Sequence, residues 1–415
     1  MAMNEMSINQ IYTLVNAICN DVKGGNLSAP VNTAGFIAQA TTALKTGYDP
    51  VINSISQIMH KTIFSDRAYR PIFAGIRKNA EQWGNHVRKL NALDSDFESN
   101  DSYSLTDGQA VDQYIINKPK VLQTNFYGET TYQKHMTIFG RQLDTAFSDA
   151  GELGRFFSMV MTNAQSQIAQ AREELERETV AGFIAAKAKA DSGNVISLLE
   201  KYNAETGSEL TSATVMLPAN FPDFARWTFA YIKTLAMDMR VRGYRYHMNL
   251  TGLTTPIMIP RHTPAANLKL VMYAPFINNV DARVLSTTYN DEYLKYIEKS
   301  EVTYWQTPED PADISAIASY TNNQGTVTTD DSATTVEDVV AVLYDEEAMG
   351  HTVVHDISRP SPYNARGDYY NQFWKWTDRY WNDLTENAVV LTLTGGTSGE
   401  STVGDAIVGT STVGE

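Results

Sequence analysis

The sequence has very little cysteine and no long apolar run. Its single cysteine, Cys19, excludes a disulfide bond within the chain and fits synthesis in a reducing cytoplasm. No apolar stretch approaches the ~20 residues that a helix needs to span a bilayer. Because no basic segment precedes the first apolar residues, we expect no secretory signal peptide.

Positive charge is also scarce. The 415 residues include 33 Lys and Arg against 48 Asp and Glu, which gives a formal net charge of -15 at pH 7. This acidic balance argues against an extended basic surface of the kind that binds nucleic acids.

The sequence also lacks the familiar motifs of enzymes. It contains no G-x-S-x-G elbow, no phosphate-binding loop, no G-x-G-x-x-G after a strand and no H-E-x-x-H. We therefore predict a protein that is not an enzyme, with no catalytic residue, no cofactor and no metal ligand. The apolar residues, 43% of the chain, and the aromatic residues, 10%, are still ample for two or three folded domains.

The dominant pattern is a very long amphipathic helix over residues 148–193. Asp149 and Glu152 form a capping-box pattern at its start, and Lys187, Lys189 and Gly193 mark its end. We expect Arg172, Glu173, Glu176 and Arg177 to form exposed ion pairs on its polar face. The apolar stripe, spaced by three and four residues, consists of Leu153, Phe157, Val160, Ala164, Ile168, Ala171, Leu175, Thr179, Phe183 and Ala186.

A helix of this length, roughly 60 Å at about 1.5 Å per residue, needs an equally long surface to pack on. A helical bundle is disfavoured because the only other good candidate, residues 223–242, is about half as long. A coiled coil is disfavoured because the stripe is rich in Ala. We therefore predict a helix laid across a sheet, in an elongated, flattened α+β subunit that neighbouring copies complete.

The segments before the helix divide into two parts. Residues 1–62 contain short amphipathic helices that must dock on another surface, because they are too short to fold alone. Residues 121–126 and 130–139 have strand composition, with Tyr127 and Gly128 as the turn between them. The acidic loop 91–108 carries Asp94, Asp96, Glu98, Asp101 and Asp107, but it lacks the glycine of a calcium loop, so we prefer a solvated loop tip.

The segments after the helix alternate between regular and irregular structure. We predict irregular structure over 198–217, a helix over 223–242 and short apolar segments at 256–259, 268–274 and 302–305. A polar loop over 321–337 is expected to precede a buried strand at 339–344 and a turn at 345–350. Further folded segments are predicted at 351–357, 369–381 and 388–393, and a flexible Gly-, Ser- and Thr-rich tail follows Thr394.

Three groups of residues could carry chemistry. His351 and His355, near Asp345 and Glu346, could bind a metal, but no third ligand has a diagnostic spacing, so we prefer two surface or interface histidines.

The basic and aromatic run at 240–247 resembles a single-strand-binding patch, although basic residues at a helix C-terminus explain it more simply. The run comprises Arg240, Arg242, Tyr244, Arg245, Tyr246 and His247. The aromatic cluster could stack on sugars, but we prefer a core or subunit contact; it comprises Tyr369, Tyr370, Phe373, Trp374, Trp376, Tyr380 and Trp381.

The order of these segments resembles the major capsid proteins of tailed bacteriophages, whose fold is shared with herpesvirus capsid floors and encapsulins. Residues 268–290, LKLVMYAPFINNVDARVLSTTYN, are similar to the axial-domain segment of podovirus-like capsid proteins. Residues 369–390, YYNQFWKWTDRYWNDLTENAVV, are similar to their C-terminal return.

The resemblance implies a domain order. It gives an N-terminal arm at 1–62, an extended β loop at 63–140 and a peripheral domain at 141–222 with a spine helix at 148–192. An axial domain at 223–365, a return to the peripheral sheet at 366–394 and a flexible tail at 395–415 follow.

The resemblance also implies a function. The chain would form hexamers and pentamers of an icosahedral shell around double-stranded DNA, in the virion capsid, without sequence-specific DNA binding and without a membrane. Portal, scaffolding and cement proteins are further implied partners. Two alternatives stay open at this point, namely an encapsulin-like compartment and a glycan-binding virion surface protein.

Overall fold

The computed structural model of the chain describes residues 76–78, 87–94, 104–110, 118–126, 129–140, 150–283 and 298–394, and the single residues 16, 114 and 116. Only the backbone is described for 150–162, 281–283 and 298–299. These residues fall into two compact units. The first contains Phe126–Leu175, His351–Tyr380 and the described residues up to Val87; the second contains Arg88–Asn125, Glu176–Gly350 and the described residues from Trp381 onward.

The predicted long helix is confirmed. Helix α1 spans Ala150–Ala190, 41 residues, with Lys187 and Lys189 in its last turn. A short 3-10 turn at Ser192–Asn194 follows it. The boundary between the two units falls within this helix, after Leu175.

The first unit is built on a three-stranded sheet. Its strands are β3 (Thr130–Phe139), β10 (Met349–Pro360) and β11 (Tyr369–Asn382), in the order β10-β11-β3. Strands β11 and β3 are antiparallel, with Tyr369 opposite Phe139 and Trp376 opposite Tyr132.

Helix α1 packs on this sheet, as predicted. Ala164 forms a buried cluster with Trp374 and Trp376, and Ile168 packs against it together with Tyr132 and Met136. The two tryptophans lie two residues apart on one strand, so both project from the same face of the sheet. Ala164 is small, which lets the helix approach the large indole rings closely.

The predicted exposed ion pairs of α1 are wrong. Glu173, Glu176 and Arg177 are at most 6% exposed. Arg177 lies over the ring of Tyr304, with its guanidinium carbon 4.1 Å from the ring centroid, and donates to the Tyr304 carbonyl. The polar face that solvent reaches consists instead of Asn163, Ser166, Gln167, Gln170, Glu174 and Glu178.

The second unit contains a five-stranded mixed sheet in the order β4-β12-β9-β5-β6. Its strands are β4 (Val195–Ser197), β5 (Leu268–Tyr273), β6 (Glu298–Val302), β9 (Val339–Asp345) and β12 (Ala388–Thr392). All seven residues of β9 are buried, as expected for a central strand covered on both faces. The predicted buried strand at 339–344 is therefore confirmed. The predicted apolar segment at 268–274 contains β5, and the predicted folded segment at 388–393 contains β12.

Helices of the second unit complete its core. They are α2 (Leu198–Thr206), α3 (Ser212–Val215), α4 (Phe221–Asp238) and α5 (Ala274–Arg283). Phe224, Phe229 and Ile232 of α4 join Leu270 of β5 and Leu343 of β9 in one hydrophobic cluster. Among the helices that the structure describes, none combines the length and the apolar character that crossing a bilayer requires.

Two sequence-based predictions in this unit are wrong. Residues 198–217, expected to be irregular, form α2 and α3; Ser197 accepts a hydrogen bond from the Glu200 backbone N–H, and Gly207 ends α2 with a φ of 71°. The polar segment 321–337, expected to be a loop, contains strand β8. It pairs with β7 in a two-stranded sheet, with β7 at Ile314–Thr321 and β8 at Val327–Val336.

The remaining two-stranded sheet comes from the segment ahead of the long helix. Strand β1 is Val87–Ala92 and β2 is Val121–Phe126, which has the predicted bounds. β2 pairs with β1, whereas β3 pairs with β11. The proposed turn residues Tyr127 and Gly128 lie outside the described residues.

Several other expectations also concern residues that the structure does not describe. They are the arm at 1–62 apart from residue 16, the Asp149 cap, the stripe side chains Leu153, Phe157 and Val160, the loop residues Asp96, Glu98 and Asp101, and the tail at 395–415. The proposed return at 366–394 contains strands of two sheets, β11 in the first unit and β12 in the second.

Candidate functional site

The two histidines of the possible metal pair have different surroundings. His351 on β10 is fully buried and stacks on Tyr380, with ring centroids 4.5 Å apart. Its Nε2 lies 3.7 Å from Oδ1 of Asp378. His355 is exposed. Within the described part of the chain, no group of three or more His, Cys, Asp and Glu side chains is placed to hold a metal ion.

Asp378 connects His351 to the long helix. Arg172 Nε donates to Asp378 Oδ2 at 3.0 Å, and its Nη2 donates to Asp356 at 3.2 Å. Burial alone would raise the pKa of Asp378, but the contacts with His351 and Arg172 hold this pKa below its usual value. The arrangement joins α1 to β10 and β11 by charge, beside the apolar contact at Ala164.

The basic and aromatic run at 240–247 does not present one continuous binding surface. Arg240, Arg242 and Arg245 are exposed, and Arg242 pairs with Asp94 at 2.6 Å. His247 is 3% exposed and contacts the Asn387 side chain at 3.1 Å. Burial lowers the pKa of His247, which favours a neutral ring at pH 7.

The aromatic cluster at 369–381 lies on β11, largely inside the protein. Tyr370, Trp374 and Trp376 are 5% exposed or less. Trp376 stacks on Tyr132 of β3, with ring centroids 5.9 Å apart. Sugar stacking requires an open ring face, which neither buried tryptophan offers. The geometry fits the core role that we preferred for the cluster.

The segment formed by β1, β2 and the described residues between them has the character of a contact surface. Four of its large apolar side chains are more than half exposed, Leu90 at 56%, Tyr114 at 80%, Ile116 at 80% and Val121 at 58%. A sheet of two strands is at best marginally stable in water. Exposed apolar side chains grouped in one segment are typical of a contact surface, and we name these four residues the extended-loop surface.

Comparison with models of protein families identifies the family of this chain. A model of the Phi29-like phage major capsid protein matches residues 15–392. The chain belongs to the Phi29-like phage major capsid protein family. It is therefore a major capsid protein of a tailed phage, a structural protein of the virion capsid and not an enzyme. This confirms the resemblance and favours it over the encapsulin-like and glycan-binding alternatives.

Solved structures agree at the level of fold. A chain in the capsid structure of Staphylococcus phage Andhra is 10% identical, with a TM-score of 0.51, and the match covers 79% of this chain and 85% of that one. A chain in the structure of the head fiber and inner core protein gp22 of native bacteriophage P68 is also 10% identical, with a TM-score of 0.51 and coverage of 79% and 86%. No curated protein matches the Phi29-like chain.

Proposed function

We propose that copies of this chain form the hexamers and pentamers of an icosahedral shell that encloses double-stranded DNA. The extended-loop surface is the observation that carries the proposal. The two-stranded sheet exposes Leu90 and Val121, and the segment between its strands exposes Tyr114 and Ile116, so this segment gains stability when a neighbouring copy covers it. Repeated moderate contacts of this kind suit a closed shell of identical subunits.

Each unit then takes a place in the shell. The first unit, with α1 on the β10-β11-β3 sheet, is the proposed peripheral domain with its spine helix. The second unit, with its five-stranded sheet, is the proposed axial domain at the capsomer centre. β4 and β12 belong to this sheet, so we include them in the axial domain. The arm at 1–62 would contact a neighbouring subunit.

The charge of the subunit suits a container for DNA. A basic wall would hold DNA through phosphate contacts, whereas a chain with a net charge of -15 leaves the genome free to be packaged and ejected. We therefore expect no sequence-specific DNA binding. Synthesis in the host cytoplasm fits the single Cys19, and portal, scaffolding and cement proteins are the further partners that we propose.

The extended-loop surface gives the test. Leu90→Asp combined with Val121→Asp should leave a folded subunit but prevent shell formation, because each Asp would be desolvated at the contact. The matched control is Ile317→Asp combined with Val327→Asp, at residues that are 55% and 72% exposed on the β7–β8 sheet. Circular dichroism checks folding and negative-stain microscopy counts shells. Normal shells from the first variant would overturn the role of this surface.

A further inference from the structure

The half-buried face of β1 carries Val87, Lys89 and Asn91, so two of its three side chains are polar. Residues of this strand alternate between half-buried and exposed, and Lys89 and Asn91 both lie on the half-buried face. Lys89 Nζ donates to Asp383 Oδ2 at 3.0 Å, also bonds Glu386, and lies 3.3 Å from Glu347. The strand is therefore held at this point by charge and not by apolar packing.

The carboxylates that Lys89 contacts at 383 and 386 belong to a hydrogen-bonded turn at 383–386. Asp383 accepts from both the backbone N–H and the hydroxyl of Thr385, at 2.9 and 2.7 Å, and its own N–H donates to the Ala348 carbonyl at 2.7 Å. These bonds hold Asp383 in the position where its carboxylate meets Lys89.

Arg261 bridges the turn and the strand. It donates to the Thr385 carbonyl and to the Asn91 side chain, both at 2.9 Å, and pairs with Glu386 at 3.0 Å. We call Lys89, Arg261, Glu347, Asp383 and Glu386 the clasp.

The clasp has more negative than positive charge. Lys89 and Arg261 face the three carboxylates of Glu347, Asp383 and Glu386. A cavity of about 340 Å³ adjoins them, and its lining adds the charged or titratable groups Arg242, His262 and Asp345. Arg242 already pairs with Asp94, and the buried Lys187, whose charge also acts on Asp383, pairs with Asp191 at 2.6 Å, so neither offsets the excess at the clasp. Uptake of one proton would bring the clasp itself to charge balance.

We propose that the clasp fastens β1 to the turn at 383–386 in a proton-dependent way. The contact between strand and turn forms with the uptake of a proton, so β1 is held more tightly in mild acid than in mild alkali. Glu386 is the group that takes the proton. Its side chain is 7% exposed, and both cations contact it. An opened clasp would return this carboxyl to water, where it ionises at a lower pH, so a fall in pH favours the closed state.

The electrostatics of the individual groups support this choice. Burial raises the pKa of Glu386 to about 7, against the opposing effect of Lys89 and Arg261. Burial would lower the pKa of Lys89, but Asp383 and Glu386 raise it overall, so Lys89 stays charged. Burial would also raise the pKa of Asp383, but Lys89 and Thr385 hold it below its usual value, so Asp383 stays ionised. Burial also raises the pKa of Asp345 in the cavity lining, which favours its neutral form.

Hydrogen exchange of the full-length chain tests the proposal. Protection of the β1 and β2 amides, corrected for intrinsic exchange, should be on the order of 30-fold greater at pH 5.5 than at pH 8.5, as follows for one carboxyl whose pKa moves from 4.5 to about 7. Glu386→Gln should give the same protection at both pH values. Glu178→Gln, at an exposed carboxylate of α1, is the matched control and should keep the wild-type dependence.

Two results would overturn the clasp. One is equal or greater wild-type protection at pH 8.5, and the other is a wild-type pH dependence in Glu386→Gln. Lys89→Met should lower protection of β1 at both pH values while the amides of α4 stay protected, and unchanged β1 protection would exclude Lys89 as its anchor. Hydrogen exchange does not depend on shell assembly, so this experiment can disprove the clasp and leave the proposed function standing. Any effect of the clasp on assembly rests on the proposed function.

Discussion

Asp378 shows how much one buried carboxylate contributes to the first unit. It is fully buried, while Asp356, which contacts the same Arg172 guanidinium, has a side chain that is 51% exposed. Removing the buried partner leaves the largely buried Arg172 with only the exposed carboxylate of Asp356 to balance its charge. Removing the exposed partner loses a contact that water already weakens.

We therefore predict unequal effects of Asp378→Asn and Asp356→Asn. The first should lower the free energy of unfolding by about 3 kcal/mol and the second by less than about 1 kcal/mol, measured by urea denaturation. The pKa of Asp378 is held below 3.8 in the folded chain, so its ion pair stabilises the fold above pH 3.8 and this contribution is lost as the pH falls further. Equal destabilisation by both variants would contradict this account.

The buried charges of α1 also mark a limit of sequence reasoning. Glu173, Glu176 and Arg177 have the spacing of exposed ion pairs, and nothing nearby in the sequence distinguishes them from such pairs. Their burial depends on groups far along the chain, as with Tyr304, which is 127 residues from Arg177. Helical periodicity identified the apolar stripe but not which polar residues the rest of the fold covers.

At the scale of elements, the contact between α1 and its sheet supports the fold assignment most directly. Ile168 packs against the cluster of Ala164, Trp374 and Trp376. Ile168→Asp would place a carboxylate against these rings, and we expect it to destabilise the subunit by about 2 kcal/mol, since the site is only partly closed. Ser166→Asp, two residues away on the exposed face, should change stability by less than about 0.5 kcal/mol.

Thermal unfolding of both variants checks this prediction. Equal midpoints would mean that the stripe does not hold the helix on the sheet. Glu173, which the spacing predicted to be exposed, is 6% exposed and would be an unsuitable control. A control at this helix must therefore come from the face that the structure shows to be open.

The elements that sequence analysis predicted best are those with one uninterrupted pattern. The strands at 121–126, 130–139 and 339–344 are dense in β-branched and aromatic residues, and their bounds agree with the structure. Strand β8 was missed because its sequence, VTTDDSATTV, is polar. Its stability comes from pairing with β7, through contacts such as Ser319 with Thr329 at 3.0 Å, and pairing partners are not visible in a single segment.

The candidate contact surface could be predicted only in part. The resemblance implies an extended β loop at 63–140. Its exposed apolar residues cannot be identified from the sequence, because the sequence does not show which face of each strand points to solvent. The clasp was not predicted at all. Lys89 and Glu386 are 297 residues apart, and only the fold brings them together.

At the scale of the whole molecule, charge opposes assembly. Every copy carries a formal net charge of -15, so like charges approach one another whenever subunits meet. In the shell that we propose, burial of apolar side chains such as those of the extended-loop surface must exceed this repulsion. Salt weakens the repulsion between exposed charges, because the Debye length falls from about 30 Å at 0.01 M to about 10 Å at 0.1 M ionic strength.

We therefore predict that purified subunits assemble faster and more completely as sodium chloride rises from about 0.01 M to about 0.15 M. Light scattering measures the rate, and negative-stain microscopy confirms that the scattering particles are closed shells and not aggregates. Sucrose at equal osmolality is the control, since it leaves the Debye length unchanged. The prediction fails if assembly is fastest at the lowest salt. That result would show that attraction between oppositely charged side chains at the subunit contacts exceeds the net repulsion, and that apolar contact is not the main driving force.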